Sequence, residues 1–242
     1  MRITLDPNQL GFFFRNGYLD VELPVKGEDC RSISRSLCEL VRLRLSHSTP
    51  NLSSLQLLFG GRDLWRESQT LHHVIRKGPL AQLVASLWWS HGGVRLLYDQ
   101  LIPFTSLTDE TSGNSFFRSL HEGSFTLSGY SAFSDILGGL ALCLESNGPE
   151  EIPVEVPKAS SHFFPVRVGT VLCFSETCRI RFPYGEKGDS ALWYLVVFGK
   201  ERSRYVLNEK DPHGHRPKGL GYFLNDFLTS DRNPFIQLPS LF

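Results

Sequence analysis

From Gly93 onward the chain is a succession of short apolar segments broken by turn signals, and this pattern restricts the fold more than any other feature. Val94–Ile102, Ile136–Leu144, Pro153–Val156, Phe163–Val168, Thr170–Phe174, Arg179–Phe182 and Leu192–Phe198 all read as strands. Asn147-Gly148-Pro149, Gly169 and Gly185-Glu186-Lys187-Gly188-Asp189 supply breaks between them. A β-rich half must bury its apolar side chains against another sheet or against helices.

The helices lie before Gly93. Asp6-Pro7 is a helix start, and Asn16-Gly17 ends that helix. Tyr18 to Leu23 alternates polar and apolar residues, as a half-buried strand does. Over 28–46, Cys30, Ile33, Leu37, Leu40, Val41 and Leu45 form one stripe, and Arg31, Arg35, Arg42 and Arg44 take the other side. Residues 47–56 read as a loop and Leu55–Phe59 as a short apolar strand. Leu64–Trp89 reads as a helical pair divided at Gly78-Pro79. In the tail, Asp211-Pro212-His213-Gly214-His215 reads as a loop and Gly221–Leu228 as a short helix. Helices first and strands after predict an α+β, mainly β chain: a sandwich or barrel with helices on one side. One domain spans 1–242 on this reading, helix-rich over 1–92, with barrel strands over 93–200 and a closing segment over 201–242.

Lys plus Arg equals Asp plus Glu at 25 each, which argues against a dedicated nucleic-acid binder. The arginine stripe of residues 28–46 leaves nucleic acid as a lesser reading, a solvated helix face being the plainer one. Cys30, Cys38, Cys143, Cys173 and Cys178 contain no C-x-x-C spacing and read as buried free thiols in a reducing compartment, without a zinc site. The opening residues lack a signal-peptide pattern, and no run of roughly 18 apolar residues is present, so the expectation is a cytoplasmic protein without a membrane span. His72 and His73 are helix neighbours about 100° apart and cannot easily chelate one ion; they read as a capping or surface pair. His213 and His215 read as polar tips of their loop.

Several segments, in order, resemble the phytanoyl-CoA dioxygenase-like branch of the iron(II)/2-oxoglutarate-dependent oxygenases. They are Leu10–Leu19, Leu71–Leu87, Val94–Ile102 with Tyr98-Asp99-Gln100, Val156–His162, Val168–Phe174 and Lys218–Pro234. The resemblance implies a double-stranded β-helix, a jelly-roll or cupin-like barrel with the N-terminal helices packed on one sheet. It also implies iron held by a His-x-Asp/Glu pair and a distal His, with an Arg for the far carboxylate of 2-oxoglutarate.

Those residues are missing from their expected places. After Tyr98-Asp99-Gln100, Leu107-Thr108-Asp109 keeps a carboxylate without the His, and His121-Glu122-Gly123 keeps a His with the carboxylate displaced by one. On a strand, His121 and Glu122 would point to opposite faces. After Val171–Phe174, the segment Ser175–Phe182 contains no His; Arg179 or Arg181 stands near its place, and guanidinium has no lone pair to donate. Cys178 is a soft ligand, unusual in such a triad. Asp189–Phe198 contains no Arg. The expectation is an oxygenase fold without its iron triad and without a catalytic residue, having a binding or regulatory role and no resident iron or 2-oxoglutarate. Tyr98, His121 and Arg181 are the candidate groups around a small-molecule pocket at the barrel mouth; Asp109 and His121 are the metal near-misses. The alternative is an active iron(II)/2-oxoglutarate dioxygenase with displaced ligands, such as Asp109 with His121.

Overall fold

The structure is a computed structural model that describes residues 5–22, 27–46, 52–105, 113–147, 151–155, 162–165, 167–181 and 190–237. Helix α1 (Pro7–Asn16) starts where a capping box forms: the Asp6 carboxylate accepts from the backbone N–H of Asn8 and Gln9, and the Gln9 side chain accepts from the Asp6 N–H. Gly17 ends it at φ 79°, the left-handed conformation that turns the chain directly into strand β1 (Tyr18–Glu22). Helix α2 (Gly27–Arg44) buries Cys30, Ser34, Leu37 and Val41. Ser34 donates a 2.5 Å hydrogen bond to Glu145, tying this helix to the sheet.

Residues 55–59 are helical, not the strand that their apolar run suggests. They belong to α3 (Ser54–Gly60), because Ser53 and Gln56 form a second capping box at its start. The pair expected over Leu64–Trp89 is a 3-10 turn at Leu64–Arg66 followed by α4 (Gln69–Lys77) and α5 (Pro79–Trp88), with Ser68 capping α4 and Pro79 opening α5.

The strands after Gly93 are β2 (Gly93–Thr105), β3 (Ile136–Asn147), β4 (Glu151–Glu155), β5 (His162–Pro165), β6 (Thr170–Ser175), β7 (Arg179–Ile180) and β8 (Ser190–Gly199). A short β9 (Phe235–Gln237) follows. They form a curled six-stranded antiparallel sheet, β1-β6-β3-β8-β2-β9, and a three-stranded sheet, β5-β4-β7. The large sheet therefore draws β1 from the helix-rich part and β9 from the tail. Two further segments differ from expectation. Ser115–Glu122 forms helix α6, capped by Asn114 and closed by Gly123 at φ 74°. The tail helix is a single turn, α7 (Arg216–Gly219). The Gly221–Leu228 segment is a chain of turns instead, because Gly221 and Asn225 adopt φ of 84° and 70° and the Asp226 side chain accepts from the Phe223 N–H.

Both faces of the large sheet are covered. On β8, Leu192, Tyr194, Val196 and Phe198 face the helical layer, where they meet Leu37, Val41, Leu83, Val84 and Leu87. Trp193, Leu195 and Val197 face the other way, with Leu172, Phe174, Phe116, Phe117 and Phe125. Ile180 of the small sheet joins this inner cluster. A strand buried on both sides loses polar alternation, which is why β8 reads as one apolar run. A register shift between Leu96 and Tyr98 lets Leu97 and Tyr98 both enter the inner cluster. No described helix is long and apolar enough to cross a membrane.

Candidate functional site

The inner face of the large sheet is where the resemblance places the iron chemistry, so its side chains decide what that chemistry can be. At the end of β6 the chain turns through Glu176 and Thr177 into β7. Cys178 and Ile180 point inward and are buried, while Arg179 and Arg181 are exposed. Burial pushes the Cys178 thiol up to about 12 and holds it in the neutral form. On β8 the inward positions carry Trp193, Leu195 and Val197, each at most 1 % exposed. On β3 they carry Ala141 and Cys143, and Gly139 lies beside them. A Cβ at Gly139 would come within 3.0 Å of Phe174 Cζ, 3.1 Å of Leu195 Cδ1 and 3.2 Å of Leu127 Cδ1. Iron(II) of this type is held by imidazole and carboxylate donors and 2-oxoglutarate by a cationic clamp; the positions named on β3, β7 and β8 carry thiols, indole and hydrocarbon groups and supply neither. The residues described here do not fit the pair. Among the described residues no three His, Cys, Asp or Glu side chains are grouped to hold a metal ion.

Asp109 lies outside the described residues. His121 and Glu122 stand on the last turn of α6 and not on a strand, so the opposite-face argument gives way to helical spacing, in which neighbours diverge by about 100°. Asn114 capping the helix and the apolar Phe116, Phe117 and Leu120 at helical steps are the sequence signals of this element.

Tyr98 is on the inner face and 2 % exposed, at the centre of a polar cluster that sequence reasoning did not assemble. The Arg62 guanidinium carbon lies 3.3 Å from the Tyr98 ring centroid, and its Nη2 donates a 3.1 Å bond to Asp211. Asp211 also accepts from the backbone N–H groups of Ala132 and His213 at 3.0 and 2.9 Å. Burial lifts the Tyr98 hydroxyl to about 12, against the opposing pull of Arg62. His213 is buried, edge-on to Phe59, and burial followed by the charges of Arg62 and Arg216 pushes it down to about 2. It is thus a neutral core imidazole and not a polar loop tip; His215 alone is exposed. Asp211 meets three donors within the chain, so the cluster works as a clasp holding the tail segment against β2.

A second buried pair lies on the opposite face of β2. Asp99 Oδ2 accepts from the Tyr194 hydroxyl at 2.5 Å and from the Trp65 N–H at 2.9 Å. Burial, then the neighbouring Asp63 carboxylate, raises Asp99 to about 7. Gln100, next along, donates to the Leu58 and Leu101 carbonyls. In the Tyr98-Asp99-Gln100 triplet that carries the resemblance, Tyr98 packs in the tail clasp, while Asp99 and Gln100 hold the Leu64–Arg66 turn and α3 to the sheet, each keeping one buried oxygen, Asp99 Oδ1 and Gln100 Oε1, without a hydrogen-bond partner.

The arginine face of α2 divides. Arg31 and Arg35 are exposed. Arg42 pairs with Glu39, and Arg44 donates to the Gly60 and Arg62 carbonyls and to Glu67. Of the cysteines, Cys30, Cys143, Cys173 and Cys178 are buried free thiols and Cys38 is half-buried. His72 is half-buried and stacks on Trp65 at 5.8 Å, whereas His73 is exposed.

No family model and no curated protein matches the sequence. Solved structures do match the fold. The non-heme alpha-ketoglutarate-dependent carbocyclase SnoK from nogalamycin biosynthesis superposes with a TM-score of 0.70 at 10% identity, covering 98% of this chain and 99% of that one. The epimerase SnoN from the same biosynthesis gives 0.65 at 16%, covering 95% and 97%. CytC3 with Fe(II) and alpha-ketoglutarate gives 0.61 at 12%, covering 85% and 81%. At such identities the likeness is one of architecture: this chain has the fold of the non-heme iron, alpha-ketoglutarate-dependent oxygenases.

Proposed function

We propose that this protein is a non-catalytic member of the oxygenase fold, a complete double-stranded β-helix domain of phytanoyl-CoA dioxygenase-like descent that acts in binding or regulation without iron or 2-oxoglutarate. The observation that carries the reading is the side-chain set on β7 and β8. Where the resemblance implies a distal His and a 2-oxoglutarate Arg, Cys178, Ile180, Trp193, Leu195 and Val197 form a close-packed apolar surface. Replacing an imidazole by a buried thiol and a guanidinium by indole or hydrocarbon groups removes the nitrogen donor and the charge on which that chemistry depends. Such a domain keeps its architecture through packing alone.

The test is a calorimetric titration of iron(II) into the protein with 2-oxoglutarate present, with succinate formation followed in parallel. Absence of one-to-one binding and of 2-oxoglutarate turnover is the expected result. Stoichiometric binding with turnover would instead establish a displaced ligand set such as Asp109 with His121.

A further inference from the structure

On the outside of the helical layer, away from the inner face, a groove of about 910 Å³ runs between the turn at Trp65–Ser68 and the exposed side of α4. Its charged lining is Arg66, Arg76 and Lys77 against a single carboxylate, Glu67. Arg44, which is not part of the lining, holds that carboxylate at 2.5 Å, so the groove keeps a cationic surplus. Arg66 lies with its guanidinium carbon 4.4 Å from the Trp65 ring, and Trp65 stacks in turn on His72 at an interplanar angle of 24°. This stack fixes the cation in place without neutralising it. Arg66 Nη1 donates to the Arg232 carbonyl, its Nε stands 3.9 Å from Asp63, and its Nη2 is buried without an acceptor. Arg76 Nη1 approaches His72 Nε2 at 3.2 Å; since guanidinium only donates, this nitrogen is the lone-pair side of a neutral imidazole. The exposed Arg76 and Lys77 lie one turn further along the same wall.

We propose that this groove binds a small phosphorylated ligand through its phosphoryl group. The volume is that of a small-molecule cleft. Three cations face one carboxylate, Glu67, which Arg44 already pairs, and a phosphoryl dianion with its three terminal oxygens can engage several of the cations at once. Arg66, paired only at 3.9 Å with Asp63 and with Nη2 left without an acceptor, supplies positive charge beneath the site, and Arg76 and Lys77 supply donors at its rim. The proposal does not rest on the loss of iron chemistry, because none of its residues reaches the inner face.

The experiment titrates the full chain with inorganic pyrophosphate at constant ionic strength, reading heat and the proton resonances of His72. Saturable one-to-one binding with a Kd below about 1 mM, accompanied by an upward shift of the His72 titration as the anion offsets Arg76 and Lys77, is expected. In Arg76→Gln/Lys77→Gln the affinity should fall at least about tenfold, while Arg31→Gln/Arg35→Gln on α2 should leave it unchanged. Absence of saturable binding, an undisturbed His72, or equal weakening in both double variants would overturn the proposal, the last by showing a non-specific charge effect. A single-stranded oligonucleotide that binds where pyrophosphate does not would overturn it too.

Discussion

The Arg62 guanidinium carbon sits 3.3 Å from the centre of the Tyr98 ring, held there by the Asp211 carboxylate on its far side. Arg62 and Asp211 side chains are 5% and 0% exposed, so each is the other's compensation in a dry site. Removing only one strands a buried charge. Arg62→Leu should cost about 3–5 kcal/mol in chemical denaturation. The double variant Arg62→Leu/Asp211→Leu should cost clearly less than the sum of the single changes. Additive losses would mean that the two charges do not act as a pair.

Asp99 gives the fold a distinctive pH dependence. Its folded-state value of about 7 lies above the ordinary aspartate value near 3.9, so between about pH 4 and pH 7 the folded protein keeps a proton that the unfolded chain has released. Stability from this group is greatest below that window and falls as pH rises through it, by up to about 1.4 kcal/mol per pH unit. His213, held down at about 2, slopes the other way below about pH 6.5, so the informative quantity is the difference from a variant. Asp99→Asn should gain stability relative to the unmodified protein as pH is raised from 4 to 8. A pH-independent difference would place the Asp99 value near that of an exposed carboxylate.

Trp193 separates a filled interior from a vacated cofactor site. It is fully buried among the inner cluster, and Trp193→Ala should lower stability by about 3–5 kcal/mol in urea unfolding. A loss under about 1 kcal/mol would mean that the side chain merely lines a cavity.

What the sequence made legible is the part dictated by local chemistry. Asp6-Pro7, the α2 stripe, Gly78-Pro79 and the β-patterned segments after Gly93 each became the expected element to within a few residues at the ends. The misreadings came from short segments. Leu55–Phe59 is too brief for apolar content alone to separate strand from helix, and the deciding signal was the Ser53–Gln56 capping box. Breaking it tests this: Ser53→Ala should cost about 1 kcal/mol by thermal or urea unfolding, and no loss would assign the helix to packing alone. The tail turns were hidden because an apolar run at Tyr222–Leu228 looks helical until Gly221 and Asn225 are seen at positive φ. That geometry leaves Phe223 80% exposed.

That Ser175–Phe182 carries no His and Asp189–Phe198 no Arg is a property of the sequence alone. The Arg62–Tyr98–Asp211 clasp was not legible there, because its members lie 36 and 113 residues apart along the chain and meet only when the tail returns to β2. The groove beside Trp65 was hidden for a different reason, since its stacked pair is close in sequence. His72 and Trp65 belong to separate elements, and their stacking follows from how α4 packs against the preceding turn.

The central claim is that the inner face of the sheet holds no iron. It is tested most directly by crystals grown anaerobically with iron(II) and 2-oxoglutarate, with diffraction recorded on both sides of the iron absorption edge. The account predicts no anomalous peak between β2, β6 and β8, with Trp193 and Phe174 filling the space. A full-occupancy iron peak there, bound by side chains of this chain, would contradict it.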